Sequence, residues 1–247
     1  MDYKLGKLPA RKDSIELKLK DYLTTLPTPP KVFGHEDLIG ANWQMLGNDQ
    51  YGDCVWAGAA HETMMWAAEG GTRATFDNSS VLSDYSAVTG FNPNDPNTDQ
   101  GTDMQVAASY RKKTGVKDAQ GNRHKVAAYL AITPGNLAEH YIAMYLFGAV
   151  GIGIKVPNNA IDQFKAGKPW SVTKGSSIEG GHYVPLVAHR GNLLCVTWGK
   201  VQQMTASFFK KYNDESVVYI SQEILNNGKS LEGFDLAQLQ ADLAQLK

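Results

Sequence analysis

The chain has 247 residues, 43% hydrophobic and 20% charged, which is ordinary globular composition and enough for a sizeable core in one large domain or two small ones. With 24 basic and 25 acidic side chains the formal net charge is −1, so no global basic field exists to draw nucleic acid or an anionic membrane surface, and neither is expected as a partner. Two cysteines make no disulfide framework; with an N-terminus that lacks an apolar signal core, they predict a reducing, cytoplasmic setting, and incorporation into a larger assembly stays open.

Residues 1–35 read as an N-terminal extension or leader wrapped on the surface, because basic residues are frequent and Leu26-Pro27-Thr28-Pro29-Pro30 suits neither helix nor central strand. Within it, Ser14 to Leu26 has the pattern of a short amphipathic helix. Such a leader can inhibit or target an enzyme, or simply pack as an arm. Next, a turn rich in Gly, Asn and Asp, Gly47-Asn48-Asp49-Gln50-Tyr51-Gly52-Asp53, ends at Cys54. Val55, Ala59, Met64 and Ala67 then recur at helical spacing up to Gly70-Gly71. The thiol therefore lies at a helix N-terminus, where the helix dipole favours a thiolate. A buried structural cysteine is the competing reading at this point.

His61-Glu62 on that helix is not a zinc motif, since the second histidine would fall at Met65, and Thr63 to Trp66 reads as core. Ser83 to Val88 predicts a short helix. The loop Asn92 to Gly101 lacks the mid-loop glycine and distal Glu of a calcium loop and reads as ordinary surface. Thr102 or Asp103 caps a helix through Met104, Ala107, Ala108 and Tyr110, stopped by Gly115. Arg111-Lys112-Lys113 and Lys210-Lys211 are read as solvated helix faces.

A hairpin around Gln120-Gly121-Asn122 follows, then Tyr129 to Thr133 and a helix over Ala138 to Leu146. The apolar run Tyr141 to Ile154 is too short and too glycine-rich to span a bilayer, and reads as buried helix followed by buried strand. Strands are predicted at Ala149 to Val156, Gly180 to His189, its hairpin partner Asn192 to Thr197, and Val217 to Ile220. In the tail, Leu236, Leu239, Leu243 and Leu246 form one helical stripe, which suits docking on the body or on a protein partner. No Cys/His cluster and no phosphate-binding glycine loop appears, so no metal or cofactor is expected.

In their order these blocks resemble the papain-like cysteine peptidases over about residues 40–220. Gly52-Asp53-Cys54-Val55-Trp56-Ala57 is similar to the family's active-site turn and helix start, and Leu82-Ser83 to its next helix. Gly101 with the Ala107-to-Val116 helix resembles the segment of its substrate-binding glycines. Gly148 to Ile154, with Phe164-Lys165-Ala166-Gly167, looks like its first barrel strand and closing turn. Gly181-His182-Tyr183-Val184 resembles the catalytic-histidine strand, and Thr197-Trp198-Gly199 the end of the next one.

The resemblance implies an α+β papain-like fold, a helical half (about 36–125) packed on an antiparallel, β-barrel-like half (about 126–225) with the cleft between them, followed by a helical tail at 226–247. It implies a thiol hydrolase acting on a peptide or protein, with Cys54 as nucleophile and His182 as general base; an imidazole beside a thiol yields the attacking thiolate. It puts Gly101, Thr102, Asp103, Gly181 and Trp198 in the substrate cleft.

The chain departs from the family at three places. Val196 stands where an Asn orients the imidazole, with Thr197 or the C-terminal region as the groups that could substitute. Asn48 stands six residues before the nucleophile, where the family's oxyanion-hole Gln is expected, with Gln50 as the competing donor. Tyr51 and Asp99 occupy places of stapling cysteines. Two other functions follow from these features: a catalytically weak or inactive papain-like interaction or assembly protein, of bacterial or phage kind, partnered through its N-terminal extension or C-terminal helix; and a transglutaminase-like acyl transferase, which Tyr51-Gly52-Asp53-Cys54 also resembles.

Overall fold

The computed structural model describes residues 3–11, 15, 17–21, 28–226 and 228–233. The leucine-striped tail lies outside them, and so does most of the predicted Ser14 to Leu26 helix, of which a short 3₁₀ turn at Leu19–Asp21 is described.

Three helices and a hairpin come first: α1 (Cys54–Glu69), α2 (Asn78–Thr89), α3 (Met104–Lys113) and the small pair β2 (Val116–Lys117) and β3 (Arg123–His124), preceded by β1 (Val32–Gly34). Then follow β4 (Ala128–Ala131), α4 (Leu137–Phe147), β5 (Val150–Pro157), α5 (Asn158–Lys165), β6 (Ile178–Arg190), β7 (Asn192–Thr197), β8 (Lys200–Met204), α6 (Ala206–Tyr212) and β9 (Asn213–Ile220). One antiparallel seven-stranded sheet runs β4-β9-β5-β6-β7-β8, with β1 paired to the far end of β6. It is open at β4 and β8 rather than closed into a barrel.

Strand alternation divides the interior into two cores. Val217 and Tyr219 of β9, Tyr183 and Val187 of β6, and Leu194 and Val196 of β7 face α1, α2 and α3. Val218 and Ile220, Val184 and Leu186, and Leu193 and Cys195 face α4, α5 and α6. Every residue of α1 except Ala68 is buried, so this helix is wrapped by protein all round and serves as the axis of the first core. Two of its polar side chains are satisfied by nearby backbone. His61 Nε2 meets the carbonyls of Trp43 and Gln44 (2.8 and 3.1 Å), and Thr63 donates back to Ala59 (2.8 Å).

Several elements differ from the sequence reading. α2 begins before Ser83 because Asp77 and Ser80 form a reciprocal capping box at its start. The stretch at Phe164-Lys165, read as the turn closing a barrel strand, is the end of α5, which buries Ala160 and Phe164 one turn apart. Arg111 is not on a solvated face: it is buried, and its guanidinium contacts Glu62 of α1 at 2.6 Å and stacks over Tyr219 at 3.7 Å. Glu62 also accepts from the Tyr183 hydroxyl (2.9 Å), so one buried network joins α1, α3, β6 and β9.

Candidate active site

The thiol is delivered by a turn. Gln50 and Tyr51 both donate to the Gly47 carbonyl (2.9 and 3.0 Å), folding the chain back just before α1. Asp53 is the N-cap residue, its carbonyl accepting from Trp56 and Ala57, while the Cys54 N–H lies in the first turn, where a helix offers no internal acceptor. Across from the turn, where stapling cysteines were matched to Tyr51 and Asp99, the Asp99 carboxylate accepts from the Gly52 N–H (3.0 and 3.1 Å) and the Tyr85 hydroxyl (2.6 Å). The link that a disulfide would make is hydrogen-bonded instead.

His182 sits on β6 opposite Ile154 of β5 and is completely buried. Its Nε2 lies 2.8 Å from Thr197 Oγ1, and the Trp198 indole stacks on the ring at 4.7 Å, inclined by 21°. Nδ1 has no hydrogen-bond partner among the described residues. Trp198 and Gly199 both take left-handed φ values (47° and 74°), the geometry of a tight two-residue β7–β8 hairpin, which brings the indole over the imidazole.

Val196, the position compared with the family's Asn, turns its side chain to the opposite face, into the α1 core. Thr197 is the residue on the imidazole's side, because side chains alternate and Leu193 and Cys195 already point that way. Tyr183, the residue after the histidine, has its backbone against the Cys54 thiol, where it opposes the upward push of burial, so the cysteine and the histidine's strand meet.

The cleft at this meeting point is filled by the chain's own residues 3–8. They are not wrapped on the outer surface, as the sequence suggested. Lys7 donates its N–H to Gly181 O (3.0 Å), Leu8 to Thr102 O (3.0 Å), and Thr102 donates to Gly6 O (2.7 Å), which makes a parallel β-bridge between Lys7 and Thr102. The Gly6 backbone also lies against Cys54, where it likewise opposes the rise of the thiol. Tyr3 stacks on Trp198 at 4.5 Å and meets Phe164 edge-on at 5.2 Å. Glycine is required at Gly6, since a Cβ there would strike the Gly52 carbonyl, and at Gly181, where it would strike Lys7 O.

Under this strap both groups are uncharged. Burial pushes the Cys54 thiol up to about 12, and burial pushes the His182 imidazole down to about 3. Asp53 is also fully buried, and burial raises its carboxyl well above the usual range.

The structure thus gathers Cys54, Gly101, Thr102, Gly181, His182 and Trp198 around one peptide segment. Thr102 is further fixed by the Trp56 indole N–H on its hydroxyl (3.0 Å). Asp103 has a structural position: it caps α3 through Gln105 and Val106 and pairs with Arg11 (2.6 Å). Asn48 is buried with its Nδ2 donating to Tyr51 O (3.3 Å), and Gln50 is exposed. The sequence reading named Thr197 only as one of two substitutes for the orienting Asn, and missed Gly6, Lys7 and Gln44, whose backbone bridges Gly199 beside Trp198. Strand parity alone would have singled out Thr197; nothing local distinguishes the others. Among the described residues there is no metal-competent cluster of His, Cys, Asp and Glu, and no helix is long and apolar enough to cross a membrane.

No protein-family model matches the chain, and neither does any curated protein. Solved structures do. Xylellain, a cysteine protease from Xylella fastidiosa, is similar with a TM-score of 0.63 at 14% identity, over 89% of this chain and 97% of that one. The fold is papain-like. The procathepsin B S9 of Trypanosoma congolense is similar at a TM-score of 0.61 and 11% identity, covering 89% of this chain and 87% of that chain. The Carica candamarcensis cysteine protease CMS1MS2 gives 0.56 and 15%, covering 78% and 99%. At these identities the likeness is one of fold. In papain-like terms the cleft lies where α1 and the Gly101–Thr102 segment face β6 and the β7–β8 hairpin.

Proposed function

We propose that the chain is a latent thiol peptidase, with Cys54 as nucleophile, His182 as general base and Thr197 as the group that orients the imidazole. One observation carries this reading: an extended peptide segment already lies across the thiol, hydrogen-bonded through its backbone to Thr102 and Gly181. A cleft that pairs with main chain on both sides accepts peptide by strand addition, and side-chain pockets supply the selectivity.

In the reading offered here, Nε2–H donates to the Thr197 hydroxyl, which leaves the Nδ1 lone pair to take the thiol proton. The thiolate attacks a peptide carbonyl carbon, and the imidazolium returns its proton to the leaving amine. Water, deprotonated by the same nitrogen, then releases the acyl group from sulfur. The oxyanion is met by the Cys54 N–H, with the amide of Asn48 or Gln50 as second donor.

A non-catalytic reading has one observation in its favour, the neutral thiol and neutral imidazole beneath the strap. The two part in one experiment. The full chain, Gly6→Val and Gly6→Val/His182→Ala are labelled with iodoacetamide across pH, beside hydrolysis of a fluorogenic peptide. Valine at position 6 meets the Gly52 carbonyl and expels the strap. Labelling of Cys54 is expected to rise about tenfold or more in Gly6→Val, to persist well below the ordinary thiol pKa of about 8.5, and to lose that low-pH limb without His182. An ordinary thiol titration in both variants leaves the interaction module standing.

A further inference from the structure

Lys7 has an unusual environment for a lysine. Its side chain is 1% exposed, and its ammonium lies 3.1 Å from Asp214 Oδ1 and 3.5 Å from Glu215 Oε2, while also donating to Leu8 O at 3.0 Å. Its stem passes so close to Gly153 of β5 that a Cβ there would collide with Lys7 Cε. Asp214 and Glu215 also line a cavity of about 440 Å³, which Gln105, Arg11, Lys18 and Lys20 border as well.

We propose that Asp214 and Glu215, with Gly153 as the open wall, form a specificity pocket for a lysine or arginine side chain of the substrate, and that Lys7 is its resident occupant. The proposal rests on the peptidase reading and names its substrate class. The pocket receives the residue facing Thr102, one removed from the residue over the thiol. Strand direction does not alter this: a parallel partner uses the groups flanking that residue, an antiparallel partner uses the residue's own N–H and C=O, and the side chain facing Thr102 enters the same place. A leucine there would remove the ammonium that lies 3.1 and 3.5 Å from two largely buried carboxylates, which is the costly outcome. Gln105 Nε2, at 3.2 Å from Glu215 Oε1, holds one carboxylate in position.

The test uses the full chain carrying Lys7→Ala, which empties the pocket. Cys54 is inactivated with acetyl-Lys-Gly, acetyl-Leu-Gly and acetyl-Glu-Gly chloromethyl ketones, with iodoacetamide as a reagent blind to the pocket. The lysine reagent is expected to react at least tenfold faster than the leucine one, with the glutamate reagent slowest. That ratio is expected to fall to within threefold in Lys7→Ala/Asp214→Asn/Glu215→Gln. Equal lysine and leucine rates, with His182-dependent iodoacetamide labelling intact, overturn the pocket and leave the peptidase reading in place.

A second arm needs no chemistry. A fluorescent peptide copying residues 3–9 binds Lys7→Ala/Cys54→Ser, read by anisotropy, and is expected to bind at least tenfold more tightly than the same peptide with leucine at the Lys7 position. Equal affinities overturn the pocket whatever the thiol does.

Discussion

Thr197 and Val196 are neighbours with opposite fates, and the difference is set by strand parity. Thr197 lies 2.8 Å from the imidazole while Val196 is packed in the α1 core. Thr197→Val is therefore expected to lower the His182-dependent labelling of Cys54 in the Gly6→Val background by about 10- to 100-fold, while Thr197→Ser retains most of it. Val196→Asn, the substitution that restores the familiar residue, is expected to restore nothing. It buries an amide among apolar side chains and costs about 1–3 kcal/mol in urea unfolding. At this scale the sequence made Cys54 and His182 legible, because turn chemistry and block order mark them. Of the groups that could stand in for the absent Asn, Thr197 lies beside the imidazole, on the face that the two-residue period of Leu193 and Cys195 marks.

Among the elements, α1 carries two buried carboxyl groups, one paired and one alone among the described residues. Near its middle, Glu62 joins Arg111 of α3 and Tyr183 of β6, which fixes the thiol's helix against the histidine's strand. Burial raises the Glu62 carboxyl and Arg111 opposes it. Removing one partner leaves the other buried and uncompensated, so Arg111→Met is expected to cost about 3–5 kcal/mol by urea unfolding, with part recovered in Glu62→Leu/Arg111→Met. At the helix end, burial pushes Glu69 up to about 8 from 4.5. The folded state then holds a proton that the unfolded chain has lost, so stability is highest below about pH 4.5 and declines as pH rises through about 8. His35, raised by its hydrogen bond to Glu232, works in the same direction. Glu69→Gln is expected to raise the Tm at pH 8 and flatten its dependence between pH 5 and 8. Most elements were legible from their caps and alternation, α1, α4, β6 and β7 in particular. Arg111 was not, because its place beside Ala107 and Ala108 on an apolar stripe was masked by the basic residues that follow it.

For the molecule as a whole, the strap is the feature that local sequence patterns concealed. Its order depends on partners scattered over Gly52, Thr102, Gly181, Trp198, Asp214 and Glu215, none near it in sequence, so no periodicity announces it. Tyr3 is its outermost described anchor. Losing the stack on Trp198 removes an interaction worth about 0.5–1.5 kcal/mol beyond its area, so Tyr3→Ala is expected to raise the iodoacetamide labelling rate of Cys54 about 3- to 10-fold, with the thermal midpoint little changed. An unchanged rate would mean that the strap is held by its Lys7 end alone.

Because residues 3–8 are covalently joined to the cleft they fill, they compete with any incoming peptide as an intramolecular ligand, at an effective concentration that can reach the millimolar range for a short tether. Dilution does not weaken such a competitor. Two molecules of the protein are no more latent together than one alone, and the apparent KM for a peptide belongs to the tether as much as to the cleft. On the peptidase reading it shifts when the strap's hold is altered at Tyr3, with Cys54, His182 and Thr102 left as they are.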